Sequence, residues 1–311
     1  FKQKTAYEIM PSLVGSEMCI RDRDYSRYVV DLAYLKGKAP EIAGVPTGTR
    51  LDELFFTVVY DEDTGRIVRK PLGGVPKGAV INIVGIPDTG KSVFAEQFAA
   101  FQAGNGSRVL FVTTENPAEF LYVSLKQKAA ALDLSFKDVE RNVVVVDASQ
   151  EQSLRENTFA LVKTMEYAAR SRNVDVVVID SITGLYEHRE VMARQIVRIV
   201  YNFLKRFHLT TIMVSQKRSS QGSETAEAAG GLAVAHIVDG TVVMDKKLME
   251  TRFDVSLYGL PLGSVLRTIR IDGCRVSGHD TDTYIMEINE MGLIEIKEKL
   301  SDFVRRKSGI K

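Results

Sequence analysis

Short runs of apolar, mostly β-branched residues punctuate the chain at Val80–Val84, Val109–Val112, Val143–Val146, Val176–Ile179 and Thr211–Val214. Runs of this length, unbroken by polar residues, predict strands buried on both faces. Between them the apolar positions recur at helical spacing. The segment from Lys91 to about Ala103 brings Val93, Phe94, Phe98 and Phe101 together, and a second helix is predicted from about Pro117, with proline in its first turn. A third runs through Leu161, Val162, Met165 and Tyr167. The segment Glu190–His208 carries Met192, Ile196, Ile199, Val200, Phe203 and Phe207 on one stripe. Strand alternating with helix predicts an α/β fold, a mostly parallel twisted sheet with helices on both faces. After Asp239 the pattern changes to alternating strands, Thr241–Met244, Val265–Ile271 and Tyr284–Ile288, which would extend the sheet antiparallel on its C-terminal side.

Ahead of the first core strand, Val58–Lys70 reads as a β-hairpin turning at Asp61–Gly65. With no repeat, low-complexity tract or linker, the reading is one core domain over 80–297. Residues 24–79 form an N-terminal appendage with its hairpin at about 56–71, and 298–311 a basic tail, RRKSGIK at its end, expected to be solvated. Residues 1–23 follow neither period. Pro11, Ser12, Gly15, Ser16 and Glu17 interrupt any signal-like apolar run, and Val14–Arg23 resembles the translation of a sequencing adapter. A native, poorly ordered tail is the competing explanation.

Charge narrows the function classes. The 311 residues hold 41 Lys+Arg and 40 Asp+Glu, a formal net charge of +1, which argues against a nucleic-acid binder acting by bulk electrostatics. Cys19 and Cys274 cannot build a disulfide framework or a zinc cluster, so a reducing, cytoplasmic setting is expected. No apolar run approaches the roughly 18–20 residues that span a bilayer, so no membrane role is expected. His188, His208, His236 and His279 lack metal-ligand spacing.

The chemistry is carried by Gly85-Ile86-Pro87-Asp88-Thr89-Gly90-Lys91-Ser92, which satisfies G-x-x-x-x-G-K-[ST] and lies between a buried strand and a helix. In that setting the loop N–H groups and the helix N-terminus cradle phosphate. Gly90 lets the backbone approach, Lys91 reaches the β/γ-phosphates of ATP, and the Ser92 hydroxyl ligates Mg²⁺.

Asp175–Asp180 (DVVVID) ends an apolar strand with Asp180 at the carboxyl edge, where open parallel sheets bind ligands. Ser181 and Gly184 also allow a turn or N-cap aspartate. Paired with the phosphate loop, Asp180 reads as the second metal anchor. Glu115, in FVTTENP, would lie at the same edge, beside the phosphate loop if those strands are neighbours. There it could orient the attacking water; a first-turn glutamate favoured by the helix dipole is the alternative. Gln216 ends the strand that follows and could sense the γ-phosphate, although polar residues commonly end strands.

These residues resemble the RecA-type P-loop ATPases, and within them the single-domain KaiC-like and RadA-paralogue proteins of archaea. The resemblance covers about Thr47 to Lys297 and rests on TGTRLDELF (Thr47–Phe55), LGGVPKGAVINIVGIPDTGKS (Leu72–Ser92), FVTTENP (Phe111–Pro117), VVVIDS (Val176–Ser181), TIMVSQ (Thr211–Gln216) and GGLAVAHIVDG (Gly230–Gly240). It implies ATP and Mg²⁺ as ligands, Glu115 as water activator and Gln216 as nucleotide sensor. It also implies a homo-oligomer, hexameric in many relatives, with nucleotide at the subunit interfaces. The chain departs from the pattern in three ways. A hairpin is inserted between Leu54 and Gly73. Gly273 stands where KaiC-like proteins carry a lysine of a Lys-x-Arg pair, leaving Arg275, or secondarily Arg270, as the finger acting in trans. Only one ATPase domain is present, so clock autokinase activity is not implied.

The leading reading is therefore an oligomeric, ATP-driven switch or scaffold. A RadA-paralogue mediator binding single-stranded DNA is the alternative, and a nucleotide-binding regulator with negligible turnover is a third. DNA contact would need a basic groove with stacking aromatics. The candidate loops do not supply one: Lys217 and Arg218 are offset by Glu224 and Glu227, and Arg189 and Arg194, with Tyr186, by Glu187 and Glu190.

Overall fold

Among the described residues nine strands form one sheet, in a computed structural model that describes residues 29–37, 39, 42–217 and 234–308. The chain divides into a unit of residues 1–41, whose described part holds a 3-10 turn at Leu32–Leu35, and a unit of residues 42–311. The second unit opens with β1 (Gly44–Val45), β2 (Phe55–Asp61), β3 (Arg66–Pro71) and β4 (Val75–Pro76). The core follows as β5 (Val80–Gly85), α1 (Lys91–Gly104), β6 (Val109–Thr113), α2 (Ala118–Ala131), α3 (Phe136–Asn142) and β7 (Val143–Asp147). Next come α4 (Gln152–Glu156), α5 (Thr158–Arg172), β8 (Val176–Asp180), α6 (Ala193–Arg206) and β9 (Thr210–Gln216). The last elements are β10 (Gly240–Leu248), α7 (Arg252–Tyr258), β11 (Val265–Cys274), β12 (Gly278–His279), β13 (Tyr284–Ile288), β14 (Ile294–Lys299) and α8 (Leu300–Ser308).

The sheet order is β14-β13-β11-β10-β5-β9-β8-β6-β7. The five apolar runs become the parallel strands β5 to β9. Thr241–Met244, expected to be antiparallel, lies in β10, which instead pairs parallel with β5 and begins the antiparallel part only at its other edge, where β11, β13 and β14 follow. Side chains of β5 alternate between two cores, which is why that strand carries no exposed face. Ile81 and Ile83 pack with Phe94 and Phe98 of α1, while Val80 and Val84 pack with Leu161 and Met165 of α5 and Val200 and Phe203 of α6. Tyr167, expected on the apolar stripe of α5, is instead 75% exposed. It follows Met165 by two residues, about 200° around the helix, and so points away from the core.

A polar lock fixes the amino edge. The buried Asp239 accepts from Val80 N at 2.8 Å, Lys205 Nζ at 2.9 Å and Tyr201 OH at 2.9 Å, tying the start of β5 to α6. The hairpin β2–β3 turns through Asp61, whose carboxylate accepts from Asp63 N and Thr64 Oγ1, and Gly65 at φ 64°. It pairs with β12 at Phe55 and Phe56.

The segment after Lys297 is not simply a solvated tail. It forms α8, whose Phe303 is buried with Met249, Leu266 and Ile285 in a third, smaller core. Phe303→Ala should lower stability by about 2–4 kcal/mol. Arg305→Ala, on the same helix, should cost less than about 0.5 kcal/mol. Equal urea midpoints for wild type and Phe303→Ala would contradict the packing of α8.

Candidate functional site

The carboxyl ends of β5, β6, β8 and β9 gather the residues singled out from the sequence. The phosphate loop leaves β5 at Gly85, whose neighbour across the parallel ladder is Gln216 of β9. A Cβ on Gly85 would lie 2.2 Å from Met244 O, so glycine is required there. Asp88 (φ 63°) and Gly90 (φ 103°) are both left-handed and turn the chain into α1, which begins at Lys91. The loop thus sits at a helix N-terminus, the arrangement that favours an anion. Lys91 Nζ donates to Ile86 O at 2.8 Å and Thr89 Oγ1 donates to the same oxygen at 3.0 Å. Burial pushes the Lys91 ammonium down to about 8, against the opposing pull of Asp180, Glu115 and Asp88.

Asp180 ends β8 and accepts a hydrogen bond from the Ser92 hydroxyl. Burial raises its carboxyl to about 6, with Glu115 and Glu96 adding like-charge repulsion, while the Ser92 bond and Lys91 oppose the rise. Glu96 is one helical turn beyond Ser92 and accepts from Ser124 Oγ at 2.5 Å. An all-oxygen pair of hydroxyl and carboxylate beside an anion cradle suits a hard divalent cation such as Mg²⁺.

Glu115 reaches the site by a different route from the one expected. Strands β5 and β6 are not neighbours, because β9 and β8 lie between them. The sheet order follows from the crossovers, which no local pattern encodes. Glu115 is nevertheless brought in by side chains. Its Oε1 accepts from Ser181 Oγ at 2.5 Å and from Gln216 Nε2 at 3.0 Å. Gln216 N in turn donates to Thr183 Oγ1 at 3.0 Å.

Ser181, Thr114 and Gly184 were missed as site residues. Thr114 Oγ1 accepts from Ser181 N at 3.0 Å and donates to Ser181 O at 2.9 Å, stitching the segments after β6 and β8 together. Gly184 packs against Thr114 so closely that a Cβ would fall 2.4 Å from its Oγ1. The signal was present in IDSITG, where Ser181 and Gly184 read only as turn residues. Lys246, whose Nζ lies 3.4 Å from Asp88 Oδ2, had no signal at all.

Arg275 is not brought to its own phosphate loop. Cys274 pairs with Gly240, which pairs with Ile81, so Arg275 lies at the amino edge of the sheet. Four residues of strand, about 13 Å, separate that level from Gly85. Its guanidinium donates to His236 O at 2.7 Å. Arg270 is level with Val84 but is paired with Asp272 at 3.0 Å. Lys217 is buried, its N–H donating to Gly85 O, while Arg218, Glu224 and Glu227 fall outside the described residues.

This geometry has relatives. Residues 45–301 match the ATPase family described as KaiC. The chain belongs to that family. It is 26% identical to a UPF0273 protein of Aeropyrum pernix, over 76% of this chain and 92% of the relative. It is likewise 26% identical to the circadian clock oscillator protein KaiC of Thermostichus vulcanus, over 77% of this chain but 45% of that protein. A KaiC-like protein of Pyrococcus horikoshii superposes with a TM-score of 0.61 at 22% identity, covering 83% of this chain and all of the other, and so shares the fold. The RecA-type architecture expected from the sequence is the one found, and the family to which the chain belongs is one of nucleotide-binding ATPases. No helix among the described residues is long and apolar enough to cross a membrane.

The raised Asp180 carboxyl has a thermodynamic consequence. Its folded value of about 6 exceeds the ordinary 3.8, so the folded protein holds that proton more tightly than the unfolded chain. Its contribution to stability is present below about 3.8 and is lost as pH rises through about 6. Without added nucleotide or metal, Asp180→Asn should therefore stabilise the protein at pH ~7.5 by on the order of 2–3 kcal/mol, shrinking to about 1 near pH ~4.5. Urea midpoints that show no gain for Asp180→Asn at the higher pH would contradict the assignment.

Proposed function

We propose that this KaiC-family protein binds and hydrolyses Mg-ATP and uses the cycle as an oligomeric switch or scaffold. The observation that carries the reading is the convergence on one edge of a phosphate loop, a Ser92–Asp180 oxygen pair and a tethered glutamate. The loop N–H groups and Lys91 would bind the polyphosphate, with Gly85 to Ser92 wrapping the β-phosphate. Ser92 and Asp180 would hold Mg²⁺, which when bound offsets the charge of the β- and γ-phosphates. Glu115 would orient the attacking water. Ser181 and Gln216 occupy its Oε1, which leaves Oε2 as the acceptor for that water, and the two donors fix the rotamer. Glu115 is exposed, so water can reach that oxygen.

The same contacts suggest how turnover becomes motion. Gln216 joins Glu115 through its side chain and Thr183 through its backbone. A γ-phosphate that competes for Gln216 Nε2 would bias the segments after β9 and β8 together, which is a differential contact of the kind a switch requires. Arg275, far from its own loop, would serve a neighbouring copy in a homo-oligomer. Lys217, the first cation of the supposed DNA loop, is buried, which does not favour the recombination-mediator reading.

Lys91→Ala should reduce phosphate release by about 10²-fold or more, since it removes the cation that meets the developing charge. Wild-type rates should be unchanged by single-stranded oligonucleotide, and the mass with nucleotide should be that of a homo-oligomer. Stimulation by DNA would instead support the mediator. Tight ATP binding without phosphate release would support the regulator, and wild-type turnover in Lys91→Ala would contradict the site.

A further inference from the structure

We propose that Lys246 is the internal counter-charge of the phosphate loop, neutralising Asp88 at its apex so that the loop can accept a polyphosphate. The proposal rests on the nucleotide-binding reading above and adds to it a residue outside every motif.

Asp88 is an anomaly for an anion cradle. It is the fourth residue of the loop, in the left-handed region at φ 63°, a conformation that Asp and Asn tolerate better than other side-chain-bearing residues. Its side chain is 86% exposed, so burial does not suppress its charge. A carboxylate there raises the negative potential where the loop N–H groups are meant to attract phosphate. Strand β10 supplies the remedy. It runs beside β5, with Val243 opposite Val84, and carries Lys246 past the end of β5. Lys246 Nζ meets Asp88 Oδ2 at 3.4 Å and is itself 29% exposed.

Nothing in the sheet itself calls for a cation at 246. Its cross-strand partner is Arg267, a like charge directly opposite, which is unfavourable. Arg267 Nε is buried without a hydrogen-bond partner among the described residues, so that neighbour offers no compensation. A half-exposed ion pair adds only about 0–1 kcal/mol to stability. The pair does act on the phosphate-binding group: Asp88 favours the charged form of Lys91 and Lys246 disfavours it, so both lie within Coulomb reach of that ammonium. Lys246 is on this account a positioning residue for charge, not a ligand of the nucleotide.

A double-mutant cycle separates compensation from its alternatives. Affinities for ADP and a non-hydrolysable ATP analogue would be measured by calorimetry at ~50 mM salt, where surface electrostatics are least screened. Lys246→Ala should weaken both ligands about five- to tenfold. Asp88→Asn, which removes that negative charge from the loop, should bind both ligands more tightly than wild type, and the double variant should return to within about twofold of wild type. The loss in Lys246→Ala should shrink at ~0.3 M salt. A double variant as weak as Lys246→Ala would overturn the proposal by showing direct contact with the ligand. Asp88→Asn as weak as Lys246→Ala would overturn it in favour of a mechanical tether, and unchanged affinity in Lys246→Ala would end it outright. If wild type itself bound neither ligand, the nucleotide-binding reading would fall first, and the wild-type titration reveals that case by itself.

Discussion

Asp180 and Lys91 are held within electrostatic reach of each other and of Glu115 where the parallel strands end, and burial penalises the charges of Asp180 and Lys91. Water alone does not resolve that tension. It is eased in part by Ser92 on Asp180, by Ser181 and Gln216 on Glu115, and by Ile86 O on Lys91. On the proposed reading a divalent cation and a polyphosphate would relieve the remaining imbalance, and the same burial that costs stability would supply affinity.

The fold exists to hold those groups there. Two cores grip β5 from opposite faces, and the Asp239 lock pins its start to α6, so the phosphate loop emerges from a fixed strand. The strands that carry Asp180 and Glu115 are separated from β5 by others, and the connection is made by side chains instead of by adjacent backbone. Thr114, Ser181 and Gly184 tie the neighbouring segments after β6 and β8, with Gly184 small enough to let them touch, and Gln216, level with Gly85 of β5, links them to the loop through Glu115 and Thr183. Membership of the KaiC family fits this architecture, and the proposed switch is located where Gln216 spans the two segments.

Much of this was legible in the residues. The glycines and lysine of Gly85–Ser92 announce a phosphate loop because its backbone needs them, and five apolar runs announce a buried parallel sheet because such strands expose neither face. Asp180 was legible as the polar end of one run. The sheet order was not, since crossovers are set by packing and not by local pattern, and the adjacency on which the placing of Glu115 was conditioned is not met. The helix α8 was hidden because its short basic segment offers one large buried anchor, Phe303, instead of a repeated stripe. Lys246 was invisible because its partner Asp88 is 158 residues away and the contact depends on strand register.

The most direct test of the account is the behaviour of Glu115→Gln in the purified protein. The account predicts that it binds Mg-ATP as wild type does, with phosphate release lost, because the amide keeps the shape and removes the acceptor that orients water. Phosphate release at the wild-type rate from Glu115→Gln would contradict the central claim.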